Sequence, residues 1–129
     1  MLWSKNMQLI DANVILRYIL NDSPDMSLQA KKVVENGAYT KPEIIAEVVY
    51  VLKGVYQASR EEIKVYISTL LRSIQCSEKA AVEHAIALYA NLSLDFVDCL
   101  LIAYHILNNE NVFTFDKRVN KYLKSFLNP

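Results

Sequence analysis

Short apolar runs alternate with longer amphipathic segments along most of this sequence. Residues 7–10, 38–40 and 112–115 have the length and composition of strands. Between them, apolar side chains recur every three or four positions, most clearly over residues 59–74, and this spacing predicts helices. Because helices that alternate with short strands cover a parallel sheet on both faces, we predict an α/β fold of three layers, α/β/α. We expect the parallel sheet to contain four to five short strands flanked by helices.

Turn and capping residues predict where several of the helices begin and end. Asn13 occupies the position of a cap for a helix over residues 14–20. A second helix is expected over residues 26–35, where Gly37 provides the usual stop. Ser77 is expected to cap a further helix in the second half of the chain.

Residues 40–52 contain many β-branched side chains, yet we predict a helix for them. The segment is too long for a typical strand, and its apolar residues do not alternate. The helix would open either with a capping box between Thr40 and Glu43 or with Pro42 at its first position, but not with both. Another apolar helix is expected to open near residue 95.

The two ends of the chain have the weakest pattern. We expect a single domain over residues 1–129, in which residues 1–6 form a loose N-terminal extension. The tail from residue 117 predicts a short helix followed by an edge strand at 125–127.

The charge balance limits how the chain could bind nucleic acid. It contains 14 Lys and Arg and 14 Asp and Glu, so the net charge of zero provides no overall field that would attract a polyanion. Any polyanionic substrate must therefore be held locally, by a few basic side chains or by bound cations.

Cysteine usage and hydropathy predict a cytoplasmic protein that does not enter a membrane. Cys76 and Cys99 form no CxxC pair and are expected to be reduced thiols. No uncharged apolar run approaches the roughly 18 residues that are needed to span a bilayer. Asp11, Asn13 and Arg17 interrupt the N-terminal apolar segment, which argues against a secretory signal.

Four carboxylates occupy positions that suggest a shared site. Asp11 and Asp116 each follow a predicted strand, and parallel strands of one sheet would bring them to the same edge. Glu47 and Asp98 lie on helices whose other residues are mostly apolar, and no basic residue lies within one turn of Glu47. Burying such a charge without a partner would cost several kcal/mol, so a structural role alone does not explain it.

Each acid also has a simpler interpretation. Asp11 could begin a helix, where the helix dipole favours a carboxylate, and Asp116 could begin a turn. Asp95 is interpreted mainly as the cap of the helix that it opens, with a supporting role at the site as the alternative. The coincidence of two acids at strand ends with two acids on apolar helices favours a common pocket.

A pocket of four carboxylates favours a bound divalent cation. Converging carboxylates repel one another and raise one another's pKa values, and a cation removes that repulsion. Oxygen ligands select Mg²⁺ or Mn²⁺ rather than zinc, and His84 and His105 are not spaced as a zinc pair. An acid-only site fits phosphodiester hydrolysis, in which a metal lowers the pKa of a bound water.

The segments around these acids resemble the motifs of PIN-domain proteins. Residues 11–18 resemble the opening Asp-x-Asn motif of that family, and residues 42–52 are similar to its second acidic motif. Residues 95–104 resemble the third motif, and residues 114–116 resemble the terminal Thr-x-Asp. The resemblance covers nearly the whole chain, and its length and arrangement most resemble the VapC-like toxins of bacterial and archaeal toxin–antitoxin pairs.

The resemblance implies a Mg²⁺- or Mn²⁺-dependent endoribonuclease that acts as the toxin of such a pair. The catalytic, metal-binding acids that it implies are Asp11, Glu47, Asp98 and Asp116. Asn13 and Thr114, with Asp95 in a supporting role, would orient these acids. The family usually has a hydroxyl residue at the position of Ala12 and often a Trp at that of Tyr50. Family behaviour also implies a homodimer and a VapB-like antitoxin whose C-terminal segment covers the groove.

Basic residues near the acids are candidates for binding the RNA. Arg17, Lys117 and Arg118 each follow closely on a proposed acid and could take phosphates, although each could instead be a solvated surface cation. Lys53 is interpreted as an ordinary surface cation. The tyrosines could stack on bases, but aromatic residues at helical spacing are more often part of the core.

Three other functions remain as alternatives. A phospho-acceptor signalling domain would carry paired acids at its first strand and a lysine at the end of its last one, whereas Asp11 stands alone. A haloacid-dehalogenase-type phosphatase would have a second Asp where this chain has Asn13. A catalytically silent PIN-like module would only bind a partner, and the presence of all four acids argues against it.

Overall fold

The computed structural model of the protein describes residues 7–125. The loose extension expected at residues 1–6 lies outside the described residues. So does most of the strand expected at 125–127, of which only Ser125 is described, and it ends a helix. No helix in the described part is long and apolar enough to cross a membrane.

Three short parallel strands form one sheet within residues 7–125. They are β1 (Gln8–Leu9), β2 (Ala38–Thr40) and β3 (Gln75–Cys76), in the order β1-β2-β3. Leu9 lies opposite Tyr39, and Thr40 lies opposite Cys76. The buried Thr40 donates a hydrogen bond from Oγ1 to the carbonyl oxygen of Ile10, at 3.4 Å, and this contact ties the end of β1 to β2.

Seven helices contain most of the described residues. Along the chain they are α1 (Ala12–Leu20), α2 (Pro24–Glu35), α3 (Pro42–Gly54), α4 (Arg60–Ser73), α5 (Lys79–Asn91), α6 (Phe96–Asn108) and α7 (Lys117–Ser125). Helix α2 packs against β2 and α4 packs against β3, so the helices contact the sheet. Among the helices, α5 packs on both α4 and α6, and α7 packs on α6. The predicted α/β class and parallel sheet are confirmed.

One apolar cluster joins the helices to the sheet. Its largest fully buried side chains include Ile15, Ile45, Leu52, Ile63 and Tyr89, which come from α1, α3, α4 and α5. Burying a side chain of this size contributes roughly 1.5–3 kcal/mol. Packing of the apolar helix faces is therefore the main source of stability for the fold.

The helix predicted over residues 59–74 is confirmed as α4. Ser59 precedes it as the N-cap, and its Oγ accepts a hydrogen bond from the amide of Glu62 at 3.1 Å. In return, Oε1 of Glu62 accepts from the amide of Ser59 at 2.8 Å, which completes a capping box. Ile63, Ile67, Leu70 and Leu71 form the buried stripe of this helix.

The structure also shows how α1, α3 and α5 begin, and two of these starts differ from the prediction. Pro42, rather than a capping box, opens α3. Asp11 caps α1, so the prediction of Asn13 as the cap is wrong and Asn13 lies in the first turn. Glu78, in a left-handed conformation with φ 54, precedes α5 in place of Ser77. The amide of Ser77 still donates to β2, which keeps that residue out of the helix.

The strand predicted at residues 112–115 is not formed. The carbonyl of Thr114 accepts from the side-chain amide of Asn120 at 2.9 Å, and its Oγ1 accepts from the amide of Asp116 at 3.1 Å. These local partners replace the hydrogen bonds of a strand ladder. Conversely, β3 was not predicted, because two residues are too few to show an apolar pattern. The described residues thus contain three strands, not the four to five that we expected.

Candidate acidic site

Asp11 stands where β1 runs into α1. Just before it, the amide of Ile10 donates to the carbonyl of Tyr39 at 3.0 Å, which continues the pairing of β1 with β2. The Oδ1 of Asp11 accepts a hydrogen bond from the amide of Val14 at 3.0 Å, and the side chain is exposed. The expected position after the first strand is confirmed, and the carboxylate also has the simpler role of a helix cap.

Asp116 begins α7 in a similar way. Its Oδ1 accepts from the amides of Arg118 at 2.8 Å and Val119 at 3.3 Å, so the carboxylate caps the helix. Thr114 accepts from the amide of Asp116, which holds the backbone of the acid in place. This hydrogen bond contacts the backbone of Asp116, and the role of Thr114 in orienting the carboxylate stays a prediction.

Asp98 lies in the first turn of α6 and is half-buried. Burial raises the pKa of its carboxyl group, and the negative charges of Asp116 and then Asp95 raise it further, whereas Arg118 lowers it. Two carboxylates, one of them from a segment distant in sequence, therefore act on Asp98. We call Asp95, Asp98 and Asp116 the acidic cluster.

Asp95 occupies the N-cap position of α6, as expected, but not with its side chain. Its carbonyl accepts the first hydrogen bond of the helix, from the amide of Cys99 at 3.1 Å. The carboxylate makes no capping hydrogen bond and is exposed. The side chain is thus available for a role at the site.

Arg118 links the start of α7 to the segment before α6. Its Nη1 donates to the carbonyl of Ser93 at 3.0 Å, and its Nε lies 4.0 Å from Oδ1 of Asp116. This arrangement brings a positive charge to the acidic cluster. The neighbouring Lys117 is exposed.

Glu47 is exposed, so the expectation that it is a buried charge is wrong. The buried residues of α3 are Pro42, Ile45, Val48, Val49 and Leu52, which form one stripe. Glu47 lies outside that stripe because apolar neighbours in sequence occupy all sides of a helix, whereas only one side packs on the core. Asn13 is exposed as well.

The described residues do not form the expected pocket of four converging carboxylates. Within residues 7–125, no three His, Cys, Asp or Glu residues are placed so that they could hold one metal ion. The charges that act on Asp98 come from Asp116, Asp95 and Arg118. The acidic cluster alone is therefore not a complete metal site, although carboxylate oxygens are the donors that Mg²⁺ and Mn²⁺ prefer and a cation would relieve the repulsion on Asp98.

Arg17 was expected to bind phosphates, but its guanidinium already has protein partners. Its Nη1 lies 3.0 Å from Oδ1 of Asp22, and its Nη2 donates to the hydroxyl of Tyr56 at 2.9 Å. Only 17% of the side chain is exposed. Arg17 therefore joins α1 to the segment after α3 and has little freedom to bind RNA.

A cavity of about 250 Å³ lies beside the acidic cluster, between α3 and α6. Asp95 and Asp98 line it from α6, and Tyr50 and Lys53 line it from α3. Tyr50 is 79% exposed, so this tyrosine is not part of the core. Lys53, which was interpreted as an ordinary surface cation, lies close enough to share the cavity with two acids. Its spacing of three residues from Tyr50 is the signal that could have indicated this.

Arg60 is a further residue that the sequence did not single out. Its Nη1 donates to the carbonyls of Tyr89, Leu92 and Leu94, at 2.9, 2.9 and 2.8 Å. The guanidinium also lies 4.2 Å from the centre of the Tyr89 ring. Arg60 thus fixes the segment that leads into α6 and the acidic cluster. No sequence signal could have found it, because its partners are backbone carbonyls.

Comparison with known proteins identifies a family for this chain. The family model described as PIN domain matches residues 9–124, a range that includes all four proposed acids. No curated protein matches the chain. No solved structure matches it either.

Proposed function

Because this chain belongs to the PIN domain family, we propose that it is a divalent-metal-dependent endoribonuclease that hydrolyses phosphodiester bonds of RNA. PIN domains are typically metal-dependent nucleases. The observation that carries the proposal is the family match over residues 9–124. The raised pKa of Asp98, due first to burial and then to the charges of Asp116 and Asp95, supports it, because a cation would relieve this repulsion.

In the proposed site, the acids would hold Mg²⁺ or Mn²⁺ when the cation is bound. Asp98 and Asp116, whose charges already interact, would be the central ligands. Asp11 and Glu47 would complete the set only after they move toward the acidic cluster, because the described residues do not hold the four acids in one pocket. A bound cation of this kind supplies a water of lowered pKa for attack on phosphorus and neutralises charge on the phosphate. Thr114 keeps Asp116 in position through the hydrogen bond that its hydroxyl accepts from the amide of Asp116. Supporting roles for Asp95 and Asn13 are part of the proposal and rest on the motif resemblance.

Cationic side chains would hold the phosphates of the substrate against this acidic site. Lys117 is exposed at the start of α7, and Arg118 already lies beside Asp116. Lys53 lines the cavity beside Asp95 and Asp98 and is added to this group. Arg17 is left out, because its guanidinium binds Asp22 and Tyr56.

The proposal includes the cellular role that the motif resemblance implies. The protein would act as the toxin of a toxin–antitoxin pair in the cytoplasm, where buried thiols such as Cys76 and Cys99 stay reduced. It would form a homodimer and be inhibited by a VapB-like antitoxin. A toxic nuclease requires such an inhibitor, and expression of the wild type should arrest growth whereas an inactive variant should not.

The test is a cleavage assay on total RNA with Mg²⁺, Mn²⁺ or EDTA. We expect the wild type to cleave RNA with either metal and to be inactive in EDTA. Asp98→Asn should lose at least about 99% of the activity, which is the scale of removing a group that holds charge in a transition state. The matched control is Asp25→Asn, which removes an exposed acid from the first turn of α2 and should cleave normally.

Two results would contradict the proposal. Cleavage by Asp98→Asn at the wild-type rate would exclude the acidic cluster as the site. Absence of cleavage by the folded wild type in every metal would favour the catalytically silent module instead.

A further inference from the structure

Two phenylalanines next to the acidic cluster in sequence are almost fully exposed, so they do not contribute to the packed core. Phe113 is 80% exposed and Phe115 is 90% exposed, in the connection between α6 and α7. Their rings contact each other edge to face, with 5.1 Å between the centroids. Asp116, a member of the acidic cluster, follows directly. A pair of aromatic faces at this position can take a flat ligand.

Helix α7, which follows the phenylalanines, carries four cations and no acid. Its exposed residues include Lys117, Lys121 and Lys124, which are spaced four and three residues apart and so lie on one face. The buried residues Val119 and Leu123 lie on the opposite face, against the core. We call Lys117, Lys121 and Lys124 the lysine stripe. In a chain of zero net charge, it is a local concentration of positive charge.

We propose that Phe113, Phe115 and the lysine stripe form a track that binds single-stranded RNA and leads it to the acidic cluster. The inference rests on the proposed function, since it names the path of that substrate. Proteins that bind single strands combine aromatic side chains, on which bases stack, with cations that follow the phosphates. The phenylalanines and the lysine stripe provide both parts within residues 113–124.

The charge of the surface favours RNA over a second protein as the occupant. An apolar partner surface would cover the phenylalanines, but it would leave the lysine stripe without a counter-charge. A paired RNA duplex fits poorly too, because its bases are stacked within the helix and cannot reach the rings. Unpaired RNA satisfies both halves of the track at once.

The first experiment measures binding without cleavage. The probe is a fluorescently labelled, unpaired RNA of mixed sequence, and its affinity is measured by anisotropy in EDTA. The variant Phe113→Ala/Phe115→Ala should bind at least about fivefold more weakly, which is the loss expected for one stacked base. The control Leu28→Ala/Val65→Ala removes two side chains that are 53% and 56% exposed on α2 and α4, and it should bind like the wild type.

Conservative variants separate stacking from a general apolar contact. Phe113→Tyr/Phe115→Tyr keeps two aromatic rings and should retain the affinity of the wild type. Phe113→Leu/Phe115→Leu keeps apolar bulk without rings and should bind as weakly as the alanine variant. If the alanine variant loses its fold by circular dichroism, the leucine variant decides. Wild-type affinity in a folded leucine variant would overturn the stacking role.

The second experiment tests the lysine stripe through salt dependence. On single strands, each phosphate contact contributes about 0.7 to the slope of log affinity against log salt. Lys121→Ala/Lys124→Ala should therefore lower that slope by about 1.4. Lys31→Ala/Lys32→Ala removes the same charge from exposed positions on α2 and should leave the slope unchanged. Equal slopes for both variants would overturn the role of the stripe.

These outcomes are separate from those of the cleavage assay. If the wild type cleaves RNA but the track variants bind it normally, the track is wrong and the proposed function stands. If the track variants weaken binding but the wild type never cleaves, the proposed function is wrong. Wild type that does not bind the probe, or a Phe variant that changes only the oligomeric state, would overturn the track and favour a protein interface.

Discussion

At the scale of single residues, Asp98 shows how the fold acts on one carboxylate. Burial raises the pKa of Asp98, and the charges of Asp116 and Asp95 raise it further. The folded chain therefore binds the proton of this group more tightly than the unfolded chain does. By linkage, this contribution to stability falls as the pH rises through the folded pKa, because the ionised carboxylate is disfavoured in the fold.

We predict that Asp98→Asn becomes more stable relative to wild type as the pH rises from about 4 to 7 in EDTA, the range in which the unfolded carboxyl group ionises first. Asparagine carries no charge to be buried or repelled, so the variant lacks this loss. Urea unfolding of both proteins at several pH values measures the difference. Asp25→Asn is the control, because it makes the same change of charge at an exposed position on α2. If Asp98→Asn instead became less stable relative to the wild type as the pH rises, the raised pKa of Asp98 would be contradicted.

Single residues also show what the sequence could and could not predict about the site. The position of Asp11 after the first strand was predicted correctly. Asp116 was expected to end a second strand at the same sheet edge, but the strand at 112–115 is not formed and Asp116 caps α7 instead. The prediction that Glu47 is buried was wrong, because apolar neighbours in sequence do not reveal which side of a helix packs on the core. Arg17 likewise followed an acid in sequence, yet its guanidinium lies 3.0 Å from Asp22 and donates to Tyr56 at 2.9 Å. The contact with Tyr56 is set by tertiary packing, which spacing along the chain does not show.

At the scale of elements, the segment between α5 and α6 depends on Arg60. One guanidinium nitrogen is the donor to three carbonyls, those of Tyr89, Leu92 and Leu94. These carbonyls end α5 and precede Asp95, so the contact sets where α6 begins. Without it, the carbonyls would lose a charged partner in a partly buried place.

We predict that Arg60→Ala lowers the free energy of unfolding by about 2 kcal/mol or more, as expected for hydrogen bonds to a charged group. Arg60→Lys should recover part of the loss, because an ammonium keeps the charge but not the planar stacking on Tyr89. Urea unfolding measures both variants. Arg72→Ala is the control, since Arg72 is exposed and, among residues 7–125, its side chain donates to Thr69 within its own helix, α4. Equal stability of Arg60→Ala and Arg72→Ala would contradict the role of Arg60.

The elements themselves were predicted unevenly, for physical reasons. Helix α4 was predicted because its apolar residues recur at helical spacing, and the capping box between Ser59 and Glu62 was found only in the structure. The strand at 112–115 was wrong, because the hydrogen bonds of Thr114 to Asp116 and Asn120 outweigh β propensity. Strand β3 has two residues and is defined only by its pairing with β2, which no local pattern can show.

At the scale of the whole molecule, zero net charge conceals a separation of charge. The acidic cluster lies beside Arg118, and α7 carries its four cations within nine residues. The order of the acidic motifs along the chain was sufficient to indicate the family that matches residues 9–124. Their distances in space were not predictable, because the order of motifs does not fix how α1 and α3 are placed relative to α6.

The whole fold should respond to a cation that binds the acidic cluster. A ligand that binds only the folded state at 100 times its Kd stabilises that state by about 2.7 kcal/mol, so Mg²⁺ or Mn²⁺ should raise the Tm of the wild type. Asp98→Asn should lose most of this rise.

Asp11→Asn tests whether the first acid belongs to the same site, because asparagine caps α1 as well as aspartate does and leaves only the charge changed. Differential scanning calorimetry at constant ionic strength measures the shifts, with Asp25→Asn as the control. A full rise in Asp11→Asn would remove Asp11 from the site, and a full rise in Asp98→Asn would show that the cation binds elsewhere.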